Sequence, residues 1–189
     1  MKKTIAFLIT NDLKYDQRMQ RICHSLQANG YEAILIGTNI RSSKKPAALS
    51  YQQKQINCFF KKGKLFYAEF HLKAFFRLLF LKFDAVCAID LDAVLPCLLV
   101  SKLRNKKRVY DAHELFCELP EIIARPTIYK TWKKLERVCL PHFANGYTVS
   151  ESISDEYKRM YGHSYETVRN ITLLQEREAN RSLIEQPYI

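Results

Sequence analysis

The stretch VYDAHELF, residues 109–116, sets Asp111, His113 and Glu114 directly after two residues of strand type. Three ionisable groups so close together offer a metal site, an acid–base pair or a hydrogen-bonding edge for a polar ligand. His113 and Glu114 are adjacent, and neighbours on an extended segment point to opposite sides, which is poor geometry for sharing one ion. A neutral histidine that hydrogen-bonds a sugar hydroxyl, oriented by a nearby carboxylate, suits the pattern better. Two other polar clusters follow apolar runs: Asn11-Asp12, and Asp90-Leu91-Asp92. Asp12 and Asp92 can equally be turn formers or caps of the next helix. The D-x-D spacing of Asp90 and Asp92 also matches pairs that hold a divalent metal against a diphosphate, although so short a pattern recurs by chance. A phosphate cradle needs glycine, and NDLKYDQR has none, which removes the common dinucleotide and P-loop readings. Arg18, on the helix that follows, is placed to pair with a phosphate or with Asp12.

The elements that must position these groups alternate. Strands are expected at 4–10, 33–37, 55–60, 85–89, 108–110, 146–149 and 167–169. Helices are expected at 14–29, 65–82, 93–103, 115–124, 128–142 and 151–161. Tyr15, Met19, Ile22 and Leu26 mark the buried face of the first helix, and Asn29-Gly30 its stop. Pro96 fits a first helical turn, Ser150 a cap, and 39–54 a polar surface loop. This rhythm implies an α/β, Rossmann-like, doubly wound and mostly parallel sheet of six to seven strands. Ligands of such sheets gather at the carboxyl ends of the strands, where the three polar clusters fall.

The 189 residues suit one domain, and 48% apolar content supports a core. The net charge of +11 favours an anionic partner. No recognisable nucleic-acid motif accompanies it, so nucleic acid is not expected. Six cysteines without a C-x-x-C pair read as buried free thiols. Asn11 and Asp12 interrupt the opening apolar run too early for a signal peptide, so MKKTIAFLIT reads as a strand.

Three longer blocks carry a family resemblance in order: TNDLKYDQRMQRICHSLQANGYEAILIG, AIDLDAVLPCLLVSKLRNKKRVYDAHELFCELPEI and WKKLERVCLPHFANGYTVSESISDEYKRMYG, followed by VRN at 168–170. Together they resemble the N-terminal half of a GT-B glycosyltransferase of the family 4-like, retaining group. The resemblance covers about residues 4–170, making 1–170 an acceptor-side domain and 171–189 a linker or the start of a crossover. It implies transfer of a sugar from a nucleotide-sugar to a glycan or lipid-linked acceptor in cell-surface polysaccharide synthesis. His113 matches the histidine that contacts the donor sugar near the reacting carbon. Asn11 and Asp12 match the loop facing donor phosphates and acceptor, without the glycines many relatives have there. Arg18, Asp92, Asp111 and Glu114 match recurrent motif positions.

The nucleotide-sugar enters as substrate, with no permanently bound cofactor and no metal, so the resemblance sets the D-x-D metal reading aside. Because 171–189 offers no donor pocket, the chain is expected to need a donor-binding domain or subunit for transfer. The alternative is a non-catalytic Rossmann-like partner domain. A cytoplasmic location is expected, peripheral to the inner face of the membrane. That expectation rests on CFFKKGKLFYAEFHLKAFFRLLFLKFD, 58–84, in which Glu69, Lys73 and Arg77 form a helical stripe with Phe66, Phe76 and Phe80 within or beside it. An anionic membrane would be met through 59–83. The competing reading is a core helix with a narrow solvated edge.

Overall fold

Strand β1 (Thr4–Asp12) carries the alternation that organises the molecule. Ala6 and Leu8 join one apolar cluster, Phe7 and Ile9 another on the opposite face. The computed structural model describes residues 2–13, 16–38 and 50–171. With β1, strands β2 (Glu32–Thr38), β3 (Gln52–Ile56), β4 (Ala85–Ile89), β5 (Lys107–Ala112), β6 (Gly146–Thr148) and β7 (Glu166–Thr167) form one sheet. Their order is β3-β2-β1-β4-β5-β6-β7, and every described pair is parallel.

The helices are α1 (Gln17–Ala28), α2 (Gly63–Phe80), α3 (Val94–Leu103), α4 (Pro120–Ile123), α5 (Pro126–Cys139) and α6 (Glu151–Tyr161). Asp16 caps α1 by accepting from the Met19 N–H at 2.8 Å, so the helix starts later than the expected residue 14. Tyr15, assigned to its buried face, lies outside the described residues. Ser150 caps α6, and Gly162, at φ 74°, ends it in the left-handed region. The expected helix at 115–124 divides into a single 3-10 turn at 116–118 and the short α4, which Pro120 opens; Pro126 opens α5.

The two faces are covered unequally. The larger cluster takes Phe66, Phe70, Ala74 and Leu78 from α2, Val94, Cys97 and Leu98 from α3, and Tyr157 from α6. Fully burying a side chain such as Phe70 or Leu78 contributes about 1.5–3 kcal/mol. On the other face Met19 and Cys23 of α1 pack on Phe7, Ile9, Leu35 and Cys87. Beside α1 an apolar groove remains, lined in part by Ile5, Phe7, Ile22, Leu26, Val109 and Tyr147. All six cysteines are free and buried, in line with their reading as structural thiols.

Expected strand boundaries need correction: β1 runs on through Asn11 to Asp12, and the last strand is Glu166–Thr167 rather than 167–169. The third strand is Gln52–Ile56 rather than 55–60. It lies at the sheet edge, where one neighbour and one covered face suffice, so a polar QQKQI sequence can pair with β2. Phe59 and Phe60 fall outside it and are exposed. The fifth strand extends to Ala112, so Asp111 is a strand residue paired with Ile89, not a loop residue. Within the expected loop 39–54, residues 39–49 lie outside the described residues.

Candidate functional site

Because β1, β4 and β5 are neighbours, their carboxyl ends meet where the strand order reverses. Such a switch point opens the crevice in which doubly wound sheets bind ligands. Alternation along β5 sends Tyr110 and Ala112 to the larger cluster and leaves Asp111 on the side covered by α1. There Arg18 of α1 meets it with two parallel hydrogen bonds, Nη1 to Oδ2 and Nη2 to Oδ1, both 2.8 Å. Asp111 is fully buried and Arg18 is 8% exposed. Burial opposes the Arg18 charge, but the hydrogen bonds and charge of Asp111 outweigh it and hold the guanidinium above its ordinary pKa. The partner the structure gives Arg18 is thus Asp111, on the neighbouring strand β5.

His113 sits over this pair. Its backbone N–H donates to Asp90 Oδ1 at 3.1 Å, and its Nδ1 lies 3.3 Å from Asp90 Oδ2. On the other side Nε2 stands 3.5 Å from Asp111 Oδ1, too far for good hydrogen bonding, and is buried without a hydrogen-bond partner. Burial lowers the His113 pKa, with the Asp111 charge working the other way, which favours the neutral imidazole. Burial pushes the Asp90 carboxyl up to about 8, helped by the charge of Asp92, although the His113 N–H favours its ionised form. Near neutral pH Asp90 mostly keeps its proton, which it can donate to Nδ1 and thereby direct the imidazole proton to Nε2.

Asp90 also has φ 59° and ψ 173°. This backbone region is essentially reserved for glycine and costs about 1–3 kcal/mol, and such strain concentrates at functional sites. The surroundings over-determine it: the Asp90 N–H donates to the Asp111 carbonyl at 3.0 Å while its carboxyl receives His113.

Asp92 belongs to the opposite side of the crevice. Its carboxyl accepts from the Thr10 hydroxyl, and its carbonyl is 2.7 Å from His71 Nε2 of α2. Burial raises its pKa to about 6 against the Thr10 hydrogen bond. Asp90 and Asp92 are thus committed to different partners, and no three of the described His, Cys, Asp and Glu side chains are grouped to hold a metal ion. Asn11 is exposed and Asp12 half-buried at the rim formed by the end of β1. Glu114 is exposed beside His113, as opposite-pointing neighbours require, and its charge adds to the raised pKa of Asp90 and Asp92.

Of the residues singled out from sequence, His113, Asp111 and Arg18 form one cluster. Asp92 forms a second contact set, and Asn11, Asp12 and Glu114 occupy the rim. Asp90, Thr10 and His71 belong to the site without having been singled out. Asp90 was visible only as the first member of D-x-D. Nothing in the local sequence connects Thr10 or His71 to residues 82 and 21 positions away.

No family model and no curated protein matches the chain. Its likeness to solved structures is extensive in space and slight in sequence. UGT2 of Phytolacca americana, solved with UDP-2-fluoro-glucose and pterostilbene, superposes with a TM-score of 0.64 at 9% identity, over 99% of this chain and 58% of that one. Sucrose-phosphate synthase of Thermosynechococcus elongatus gives 0.61 at 12% identity, over 89% and 47%. The UDP-GlcNAc 2-epimerase of Methanocaldococcus jannaschii gives 0.52 at 16%, over 89% and 45%. The chain spans about half the length of these structures. The fold is the Rossmann-like α/β unit found in proteins of GT-B architecture. No helix among the described residues is long and apolar enough to cross a membrane.

Proposed function

We propose that this chain is the acceptor-side domain of a retaining glycosyltransferase of the family 4-like group. It would transfer a sugar from a nucleotide-sugar to a glycan or lipid-linked acceptor in cell-surface polysaccharide synthesis, at the cytoplasmic face of the membrane. The observation that carries this reading is His113 held between Asp90 and Asp111, its Nε2 buried without a partner, at the switch point of a GT-B-type unit.

The chemistry of the crevice favours hydroxyl groups. Among the described residues, Arg18 is already paired with the buried Asp111, and acidic side chains gather at these strand ends, which favours a neutral polar ligand over a phosphate at His113. A buried Nε2 without a partner is instead completed by an uncharged hydroxyl of the donor sugar near its reacting carbon. In this reading Asp90 and Asp111 position His113, Arg18 anchors Asp111, and Asp92 holds the β1 end through Thr10. Asn11, Asp12 and Glu114 meet the sugar and acceptor at the rim. The nucleotide sits on a donor-binding domain, in the same polypeptide or in a partner subunit, and the reaction needs no bound metal.

The test is a transfer assay of the complete gene product with a panel of nucleotide-sugars. His113→Ala should lower turnover on the order of a hundredfold, the scale of losing one preorganised hydrogen-bonding group. Transfer by His113→Ala at the wild-type rate would overturn the assignment.

A further inference from the structure

The outer face of α2 combines exposed apolar side chains with an excess of positive charge. Leu65, Leu72, Phe76 and Phe80 are 59%, 60%, 50% and 81% exposed. At 100° per residue they fall within a narrow arc, making a row about 22 Å long. Lys73 and Arg77 edge the row, and Lys61, Lys62 and Lys64 stand exposed at its amino end. Phe66, expected on this stripe, is buried in the core instead.

Glu69 is the lone acid between residues 58 and 83. Its carboxylate accepts from Lys73 at 2.6 Å and from the Phe59 and Phe60 N–H groups at 2.9 and 3.0 Å. The Lys73 hydrogen bond and these two N–H groups hold it down to about 2, permanently ionised. Glu69 thereby fixes the Phe59–Phe60 turn beside the helix, with Phe59 83% exposed.

We infer that this face docks on a bilayer containing anionic phospholipid, with Leu65, Leu72, Phe76 and Phe80 entering the acyl boundary and the flanking lysines and Arg77 meeting headgroup phosphates. The charge selects an anionic surface, and the apolar row selects lipid, because leucine and phenylalanine side chains in one continuous row along a helix bury together in an acyl boundary. The depression between α2 and the edge strand β3, lined by Gln55, Asn57, Leu72, Lys73, Phe76 and Arg77, puts cations and apolar groups side by side at the same surface. On its inner side α2 reaches the crevice through His71 and the Asp92 carbonyl. Docking would therefore set the crevice beside the bilayer, a consequence that matters if the sugar-transfer reading holds. The docking itself is independent of that reading.

The experiment is co-sedimentation of the full chain with vesicles of phosphatidylcholine, alone or mixed with phosphatidylglycerol. Binding is expected only to the mixed vesicles and should weaken with salt. Phe76→Ser with Phe80→Ser should weaken it roughly tenfold or more. Lys61→Glu with Lys62→Glu should lose about fivefold per lysine. Absence of binding to the mixed vesicles overturns the inference, as does binding that the phenylalanine pair does not affect. A lipid-free dimer abolished by the same pair would assign the face to a second copy and overturn it equally. None of these outcomes depends on sugar transfer, so failure here leaves the His113 assay intact.

Discussion

The crevice and the outer face of α2 invert the usual partition of side chains in opposite ways. In the crevice charged groups are inside: Asp111 is fully buried, and Arg18 and Asp92 are nearly so. On α2 apolar groups are outside, with Phe80 81% exposed. Each inversion has a cost, since buried charge must be paired and exposed apolar surface invites association. The crevice meets its cost with a closed set of hydrogen bonds, leaving one imidazole nitrogen to spare. The helix has no covering element among the described contacts of that row. The contrast separates a polar cluster closed by its own hydrogen bonds from an apolar row that no described element covers.

Breaking the crevice should have the largest effect. Arg18→Met removes the partner of the buried Asp111 carboxylate and should destabilise the fold by about 3–5 kcal/mol, read as a lower urea midpoint. A change below 1 kcal/mol would mean that water reaches Asp111 and that the clamp is looser than the distances show.

The next effect concerns protons. The Asp90 carboxyl titrates near 8 in the folded chain, well above its value in unfolded peptides, near 3.9. Between these values the native state holds a proton that the unfolded chain has released, so stability falls as pH rises from about 4 to about 8. Asp90→Asn keeps an acceptor for the His113 N–H, leaves the backbone strain as it is and cannot ionise. Its melting temperature should exceed that of the wild type at pH 8, by about 2–4 °C for each kcal/mol recovered, and the difference should vanish near pH 4. Parallel melting profiles across this range would place Asp90 in contact with water.

The smallest effect belongs to α2. Phe80→Ser should change stability by no more than about 0.5 kcal/mol, because the ring is already mostly in solvent. A larger loss in thermal melting would mean that Phe80 supports the fold, and the contrast between the two regions would blur.

Much of the fold was legible along the chain. The central strands announce themselves as short apolar runs because a parallel sheet buries both of their faces. Asn29-Gly30 and Ser150 marked helix ends in advance because capping is local chemistry, whereas the Asp16 cap of α1 was passed over. The edge strand β3 was misplaced for the complementary reason: Gln52–Ile56 needs no apolar pattern where a single neighbour supplies its hydrogen bonds. Of the site, His113 and Asp111 stood out by composition, whereas the Arg18–Asp111 pair, 93 positions apart, left no local trace.

The sequence by itself determined the alternation of strands and helices, the parallel sheet class and the placing of polar groups at strand ends, since each follows from a pattern a few residues long. Tertiary structure alone decided that β1, β4 and β5 lie together, that Arg18 takes Asp111, and that Asp90 turns through a glycine-like conformation to hold His113. It also decided that Phe66 goes inward while Phe76 and Phe80 face out. These are contacts between residues up to 93 positions apart. Strand order, helix rotation and the low dielectric that shifts Asp90 exist only once the chain has closed on itself.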